Sequence, residues 1–125
     1  MNFIGLKPWD ASELGSTIET VDGAHIFDLH ADWLLSKIVV ENHDRNSSLH
    51  LLFNGSTPSD VKAFELSFSE IKDFSVLAEF GAANGPYDHI EEFRYWESDG
   101  LGYIEFFGAM RQIHFTFSAV ELILG

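Results

Sequence analysis

The stretch HIEEFRYWESDGLGYIEFFG, residues 89–108, decides the fold class of this chain. Aromatic and aliphatic residues alternate with polar ones in its two halves, and Asp99 and Gly100 lie between them. An Asp-Gly pair between two alternating runs is the strongest short-range signal for a β-hairpin. We therefore predict two antiparallel strands joined by a turn at Asp99 and Gly100. The buried face of this hairpin would carry Ile90, Phe93, Tyr95, Ile104 and Phe106.

Alternating runs on both sides of this hairpin predict further strands. They lie at residues 32–44, 49–55, 61–68, 73–80 and 111–124. The first two would form a second hairpin. A helix over residues 60–72 is the main alternative for its segment, because Val61, Phe64, Phe68 and Ile71 also fit a period of 3.6 residues. About seven strands with short turns predict an all-β or β-rich fold, either an antiparallel sandwich or a partly closed barrel.

The N-terminal segment departs from this pattern. Residues 1–24 have weak periodicity and scattered Gly, Ser and Thr. Within them PWDASELG, residues 8–15, predicts a short helix that Asp10 would cap and Gly15 would end. We expect a single domain over residues 1–125, with residues 1–24 as an irregular arm containing that helix and residues 25–125 as the β core.

Acidic residues outnumber basic ones by 20 to 7, which gives a formal net charge of −13 at pH 7. Nucleic-acid phosphates are bound by Lys and Arg, so this charge disfavours nucleic acid as a partner. A strongly acidic surface keeps a protein soluble and speeds the capture of a basic partner. The negative charge therefore has two possible explanations: it serves solubility alone, or it attracts a basic protein partner.

Cysteine usage and the N-terminus indicate the compartment. The chain has no cysteine, which excludes disulfides and thiolate chemistry and fits a reducing compartment. The first residues, MNFIGLKPWD, lack the basic start and apolar run of a signal peptide. No apolar stretch approaches the roughly 18 residues of a membrane span. We expect a cytoplasmic protein without a membrane partner.

One polar cluster precedes the first long strand, where Asp28, His30 and Asp32 alternate along the sequence. On a strand they would share one face and could bind zinc or manganese. His89 and Glu91 could add two ligands and complete a hydrolytic or oxygen-activating centre. The reading we favour is structural: Asp32 accepts backbone N–H groups and His30 caps a carbonyl where the strand starts.

A second cluster is a candidate partner surface. Residues 84–99, NGPYDHIEEFRYWESD, combine a loop, aromatic rings and carboxylates. Aromatic residues anchor interfaces, and surrounding charge steers the partner. The predicted partner-binding residues are Tyr87, Asp88, Glu91, Glu92, Trp96, Glu97 and Asp99. Trp9, Trp33 and Tyr95 are further anchors unless the fold buries them.

Signals for catalysis are weak. The chain has neither a G-x-S-x-G nucleophile elbow nor a phosphate-binding loop. His50 and His114 interrupt apolar alternations, so we expect them opposite the apolar face, in a solvent-side or cross-strand role. An enzyme is therefore disfavoured, and no cofactor is expected.

The segments LHADWLLSKIVVE, SLHLLFNG and VKAFELSFSEIKDFSV resemble a loose group of small bacterial β-domains. The likeness covers about residues 28–80 and includes an LxFxxIxxFxV element that runs from Leu66 to Val76. Some members are immunity proteins of polymorphic toxin systems, so the resemblance implies an interaction role. Here Ala31 separates His30 from Asp32, which departs from the His-Asp pair of the group.

Three functions follow from these observations. The leading hypothesis is an acidic, immunity-like protein that neutralises or sequesters a basic protein, with its carboxylates mimicking substrate phosphates. The second is a metal-dependent enzyme built on Asp28, His30, Asp32, His89 and Glu91. The third is a structural domain that pairs strand edges in a homodimer.

Overall fold

A computed structural model describes residues 1–10, 14–55, 60–78, 90–108 and 111–125. Twelve strands and no helix occur in these residues. The strands are β1 (Asn2–Ile4), β2 (Leu14–Gly15), β3 (Thr17–Glu19), β4 (Ile26–Asp28), β5 (Trp33–Asn42), β6 (Ser47–Gly55), β7 (Ala63–Ser69), β8 (Lys72–Ala78), β9 (Ile90–Ser98), β10 (Leu101–Gly108), β11 (Arg111–Phe117) and β12 (Ala119–Leu124).

The strands form two five-stranded sheets and one small ribbon. The first sheet has the order β1-β12-β7-β6-β5, and the second has the order β2-β9-β10-β11-β8. β3 and β4 form the ribbon. All pairs are antiparallel except β1 with β12, which is parallel. The prediction of a β-rich fold is confirmed. Among the described strands neither sheet closes on itself, so they do not form a closed barrel.

The alternation in the sequence accounts for both main hairpins. β9 and β10 pair as predicted, and Asp99 and Gly100 form the turn with φ angles of 54° and 78°. The residues predicted to be buried on this hairpin are all buried. β5 and β6 form the second predicted hairpin. Residues 63–69 are a strand, so the alternative helix over residues 60–72 is wrong.

A bulge in β5 changes which of its residues face inward. Leu35 lies opposite Phe53, but Lys37 lies opposite Leu52, which leaves Ser36 as an extra residue. Trp33 and Leu35 are buried before the bulge, while Lys37 is exposed after it. The strict period of two that the sequence suggested for this strand is therefore broken at Ser36.

The core lies between the two sheets. Phe68 of β7 contacts Phe115 and Phe117 of β11, with ring centroids 4.7 and 4.9 Å apart. Trp9 also bridges the sheets, since its ring contacts Phe68 on one side and Phe93 on the other. Side chains of both sheets and of the ribbon thus form one apolar cluster.

The N-terminal segment is not the irregular arm that the sequence suggested. β1 pairs with β12 of the first sheet, β2 pairs with β9 of the second, and β3 pairs with β4. The predicted helix over residues 8–15 is wrong, because Gly15 lies in β2 and residues 8–10 have no regular structure. Residues 11–13 lie outside the described residues. Pairing with sheet edges that are already formed outweighs the weak helical pattern of this segment.

About seven strands were predicted, and the additional ones come mainly from short segments. β1, β2, β3 and β4 have only two or three residues each. Such strands are too short for an alternation to stand out in the sequence. Within the described part of the chain, no helix has the length and apolarity needed to cross a membrane.

Candidate functional site

Asp28 is the last residue of β4, and His30 and Asp32 lie in the turn between β4 and β5. One carboxylate oxygen of Asp28 accepts the backbone N–H groups of His30 at 3.0 Å and Ala31 at 3.3 Å. The Asp32 N–H donates to the Asp28 carbonyl at 3.0 Å. Leu29 is fully buried in the same turn, whereas the His30 side chain is exposed. Asp28 therefore caps backbone N–H groups of a tight turn.

This geometry corrects one sequence expectation. The strand starts at Trp33, so Asp28, His30 and Asp32 do not alternate on one strand face. The structural interpretation gains a residue that the sequence did not suggest for this role, because the Asp28 carboxylate accepts backbone N–H groups. Two or more consecutive N–H groups that point at one carboxylate are typical of an Asx turn.

The wider metal-binding hypothesis gains no support from the described residues. Within them, no group of three or more His, Asp or Glu side chains is placed to hold a metal ion. Glu91 is exposed at the start of β9. His89, which the hypothesis also needs, lies outside the described residues.

The predicted partner-binding residues are distributed over different parts of the second sheet. Trp96 and Glu92 are both half-buried and lie on the outer face of β9, the face turned away from the core. Glu97 lies on the same side as Tyr95, and Asp99 is in the exposed turn. Glu91 sits at a register shift, since Gly108 pairs with Ile90 and Phe107 with Glu92. Tyr87 and Asp88 are outside the described residues.

Glu97 is engaged with the core tyrosine of its own strand. The Tyr95 hydroxyl donates a hydrogen bond to the Glu97 carboxylate at 2.6 Å. Burial raises the pKa of the Tyr95 phenol above its ordinary value, and the hydrogen bond and negative charge of Glu97 raise it further. Because the Glu97 carboxylate already accepts this hydrogen bond, it is less available to contact a partner.

Of the predicted aromatic anchors that the structure describes, Trp96 is the best placed to contact a partner. Trp33 and Tyr95 are 4% and 1% exposed, and Trp9 packs against the core. Trp96 instead stacks on Tyr103 of β10, with ring centroids 5.6 Å apart and an interplanar angle of 10°. The two residues are direct cross-strand partners on the outer face.

A groove of about 200 Å³ lies beside this stacked pair. We call it the Trp96 groove. Its side-chain lining on the outer face consists of Asp73, Trp96, Tyr103, Glu105, His114 and Thr116. Two carboxylates and two aromatic rings thus meet on one face of the second sheet.

The outer face of the first sheet carries a second polar group, which we call the Ser48 network. It comprises Glu41, His43, Ser48, His50 and Glu65. His50 Nδ1 is 2.9 Å from the Glu65 carboxylate, and His50 Nε2 is 3.2 Å from Ser48 Oγ. Ser48 Oγ is also 3.2 Å from His43 Nε2. A Glu41 carboxylate oxygen lies 3.5 Å from His50 Nε2.

The strand register brings this network together. Ser48 and His50 are two residues apart on β6 and therefore share a face. Glu41 lies directly opposite Ser48 on β5, and Glu65 lies diagonally across from His50 on β7. The predicted cross-strand role of His50 is confirmed. Its partners could not be predicted, because they depend on a register that the sequence does not reveal.

His114, the other histidine within an apolar run, is exposed and lies directly opposite Glu105 on the outer face of the second sheet. This agrees with its predicted solvent-side position. Comparison with protein-family models, with curated proteins and with solved structures finds no match for this chain.

Proposed function

We propose that this protein binds a basic protein partner on the outer face of its second sheet, with an arginine of the partner in the Trp96 groove. The observation that carries the proposal is the stacked Trp96–Tyr103 pair beside the carboxylates of Asp73 and Glu105. The net charge of −13 supports the same class of partner.

The chemistry of the groove suits a guanidinium group. A planar guanidinium stacks on aromatic faces and pairs with carboxylates, and it is more weakly hydrated than the ammonium of lysine. A cation–π contact contributes about 0.5–2 kcal/mol, depending on desolvation. An exposed ion pair adds about 0.2–1 kcal/mol. One arginine would therefore be an anchor, and the surrounding negative charge would speed its capture.

A cation of the chain itself lies close to this surface. Arg94 is directly opposite Glu105 across β9 and β10 and would oppose a basic ligand. Arg94 competes for Glu105, so its removal should strengthen binding.

The biological role that we propose is neutralisation of the basic partner in the cytoplasm, in the manner of an immunity protein. It is supported by the resemblance over residues 28–80 and by the acidic composition. We also infer that the two sheets stack as a β-sandwich, supported by the contacts of Phe68 across the core. In such a sandwich each sheet has one face that is turned away from the core.

Calorimetric titration with a short arginine-rich peptide tests the groove. Trp96→Ala should weaken the affinity by about tenfold, because it removes the cation–π contact. Phe107→Ala is the matched control, since Phe107 is also half-buried on the outer face of β10 but does not line the groove. Glu105→Gln should weaken binding and Arg94→Gln should strengthen it.

Two outcomes would contradict this assignment. Equal affinities for the wild type and Trp96→Ala would show that the arginine does not bind in the groove. A loss of binding in Glu92→Gln that is absent in Glu105→Gln would move the contact to another part of the face. A lysine-rich peptide of the same length should bind more weakly than the arginine-rich one.

Self-association is a second candidate function, favoured by the exposed apolar residues of β8. Phe74, Val76 and Leu77 are 37%, 38% and 62% exposed, and β8 is the last strand of its sheet among the described strands. An exposed apolar edge strand is a template for pairing with a second copy. Sedimentation equilibrium should then show a dimer that Val76→Lys dissociates, and a monomeric wild type would exclude this function.

A further inference from the structure

We infer that Ser48 is an activated nucleophile that accepts acyl or phosphonyl groups from ester-like substrates. The inference rests on the order of groups in the Ser48 network: a serine hydroxyl, the two nitrogens of His50 and the Glu65 carboxylate. Nucleophile, base and orienting acid in hydrogen-bond contact are the recurring arrangement of serine hydrolases on unrelated folds. It goes beyond binding of a basic partner, since the two sites lie on different sheets.

The distances allow one assignment of protons in which the network runs from His43 through Ser48 and His50 to Glu65. A carboxylate can only accept, so Nδ1 of His50 carries the proton that Glu65 accepts at 2.9 Å. In the neutral ring Nε2 is then an acceptor and takes the hydroxyl proton of Ser48 at 3.2 Å. The Ser48 oxygen accepts in turn from His43 Nε2–H, also at 3.2 Å. This is the tautomer that a general base next to a serine requires.

The position of the network is compatible with access by a small substrate. The Ser48 side chain is half-buried on the outer face of the first sheet, and the side chains of His50 and Glu65 are 19% and 28% exposed. His43 also lines an open cavity of about 590 Å³. Two cations, Arg45 and Lys72, and two carboxylates, Asp44 and Glu70, line it as well, so its charge does not select the acyl part of the ester.

The reaction would follow the usual course of acyl transfer. Ser48 Oγ attacks the carbonyl carbon, and its proton passes to His50 Nε2. The bond to the leaving alkoxide breaks, and that oxygen takes the proton from Nε2. Water then repeats the sequence on the acyl-serine and releases the acid. The imidazolium that forms in each half lies between Glu65 and Glu41, which both stabilise its charge.

A fluorescent alkyl fluorophosphonate tests this inference without knowledge of the natural substrate. Ser48 Oγ would form a bond to phosphorus, the P–F bond would break, fluoride would leave and the serine proton would pass through His50 to solvent. We expect one adduct per folded chain, located by peptide mass spectrometry on Ser48. Ser48→Ala and His50→Gln should lower the labelling rate by at least about 100-fold.

The controls distinguish a Ser48 hydroxyl activated by the network from the ordinary reactivity of a serine. Ser67→Ala should label like the wild type, because Ser67 lies opposite His50 across β6 and β7 but is outside the network. Heat-denatured wild type should not label. An unlabelled folded wild type, an adduct on another residue, or full labelling of His50→Gln would overturn the inference. His50→Gln leaves Ser48 in place, so the test stands even if Ser48→Ala does not fold.

Discussion

Asp28 shows how a carboxylate in a polar cluster that suggests chemistry can stabilise a backbone turn. Its carboxylate accepts two backbone N–H groups in the turn before β5, so its role is to form that turn. The exposed imidazole of His30 adds nothing to this capping, because only its backbone N–H takes part.

The first prediction concerns this turn. Asp28→Ala should lower the free energy of unfolding by about 1 kcal/mol, since two N–H groups lose their acceptor. His30→Ala keeps the N–H and should change stability by less than about 0.5 kcal/mol. Urea unfolding of both variants measures the difference. A zinc-dependent or manganese-dependent increase in stability that His30→Ala abolishes would contradict the structural role.

The second prediction uses the raised pKa of Tyr95. A phenol whose pKa is higher in the folded state than in the unfolded one binds its proton more tightly when folded. Its contribution to stability is fully present below the unfolded value of about 10 and is lost as the pH rises through the folded value. Urea unfolding from about pH 8 to about pH 11 should show the wild type losing stability faster than Tyr95→Phe above pH ~10. Equal slopes in the two proteins would show that Tyr95 is not responsible.

At the scale of elements, the long strands could be predicted from the sequence and the short ones could not. β6, β7, β9, β10 and β11 alternate clearly, and each buries one face as expected. β1 and β2 have three and two residues and form because they add to existing sheet edges. The bulge at Ser36 could not be predicted from the sequence either, because it depends on the pairing of β5 with β6.

The candidate sites follow the same division. The sequence suggested Trp96 as a candidate anchor and placed His50 opposite the apolar face of β6. It could not place Tyr103 beside Trp96 or Glu65 beside His50, because both contacts cross between strands. Cross-strand partners depend on register, and several registers preserve the same alternation of faces.

The third prediction concerns the turn between β9 and β10. Gly100 has a φ of 78°, and a Cβ added there would meet nothing within 4 Å. Gly100→Ala should therefore cost about 1 kcal/mol through backbone strain alone. In the control Gly55→Ala, the φ is not left-handed and the new Cβ would meet Trp33 at an ordinary 3.5 Å, so we expect no loss. Thermal unfolding compares them, and equal effects would exclude strain as the cause.

At the scale of the whole molecule, net charge and surface chemistry support the same function. A chain with a net charge of −13 repels itself, and this repulsion weakens as salt screens it. The same charge attracts a basic partner over a distance of about 10 Å at 0.1 M salt. The Trp96 groove would supply the short-range contacts that retain the partner after this long-range capture.

The most direct test of basic-partner binding is the dependence of affinity on ionic strength. The dissociation constant of the wild type for the arginine-rich peptide is measured by calorimetry at about 0.05 M and about 0.15 M salt. The proposal predicts clearly weaker binding at the higher salt concentration and no binding of an acidic peptide of equal length. An affinity that does not change with salt, or equal binding of the acidic peptide, would contradict an acidic binding protein.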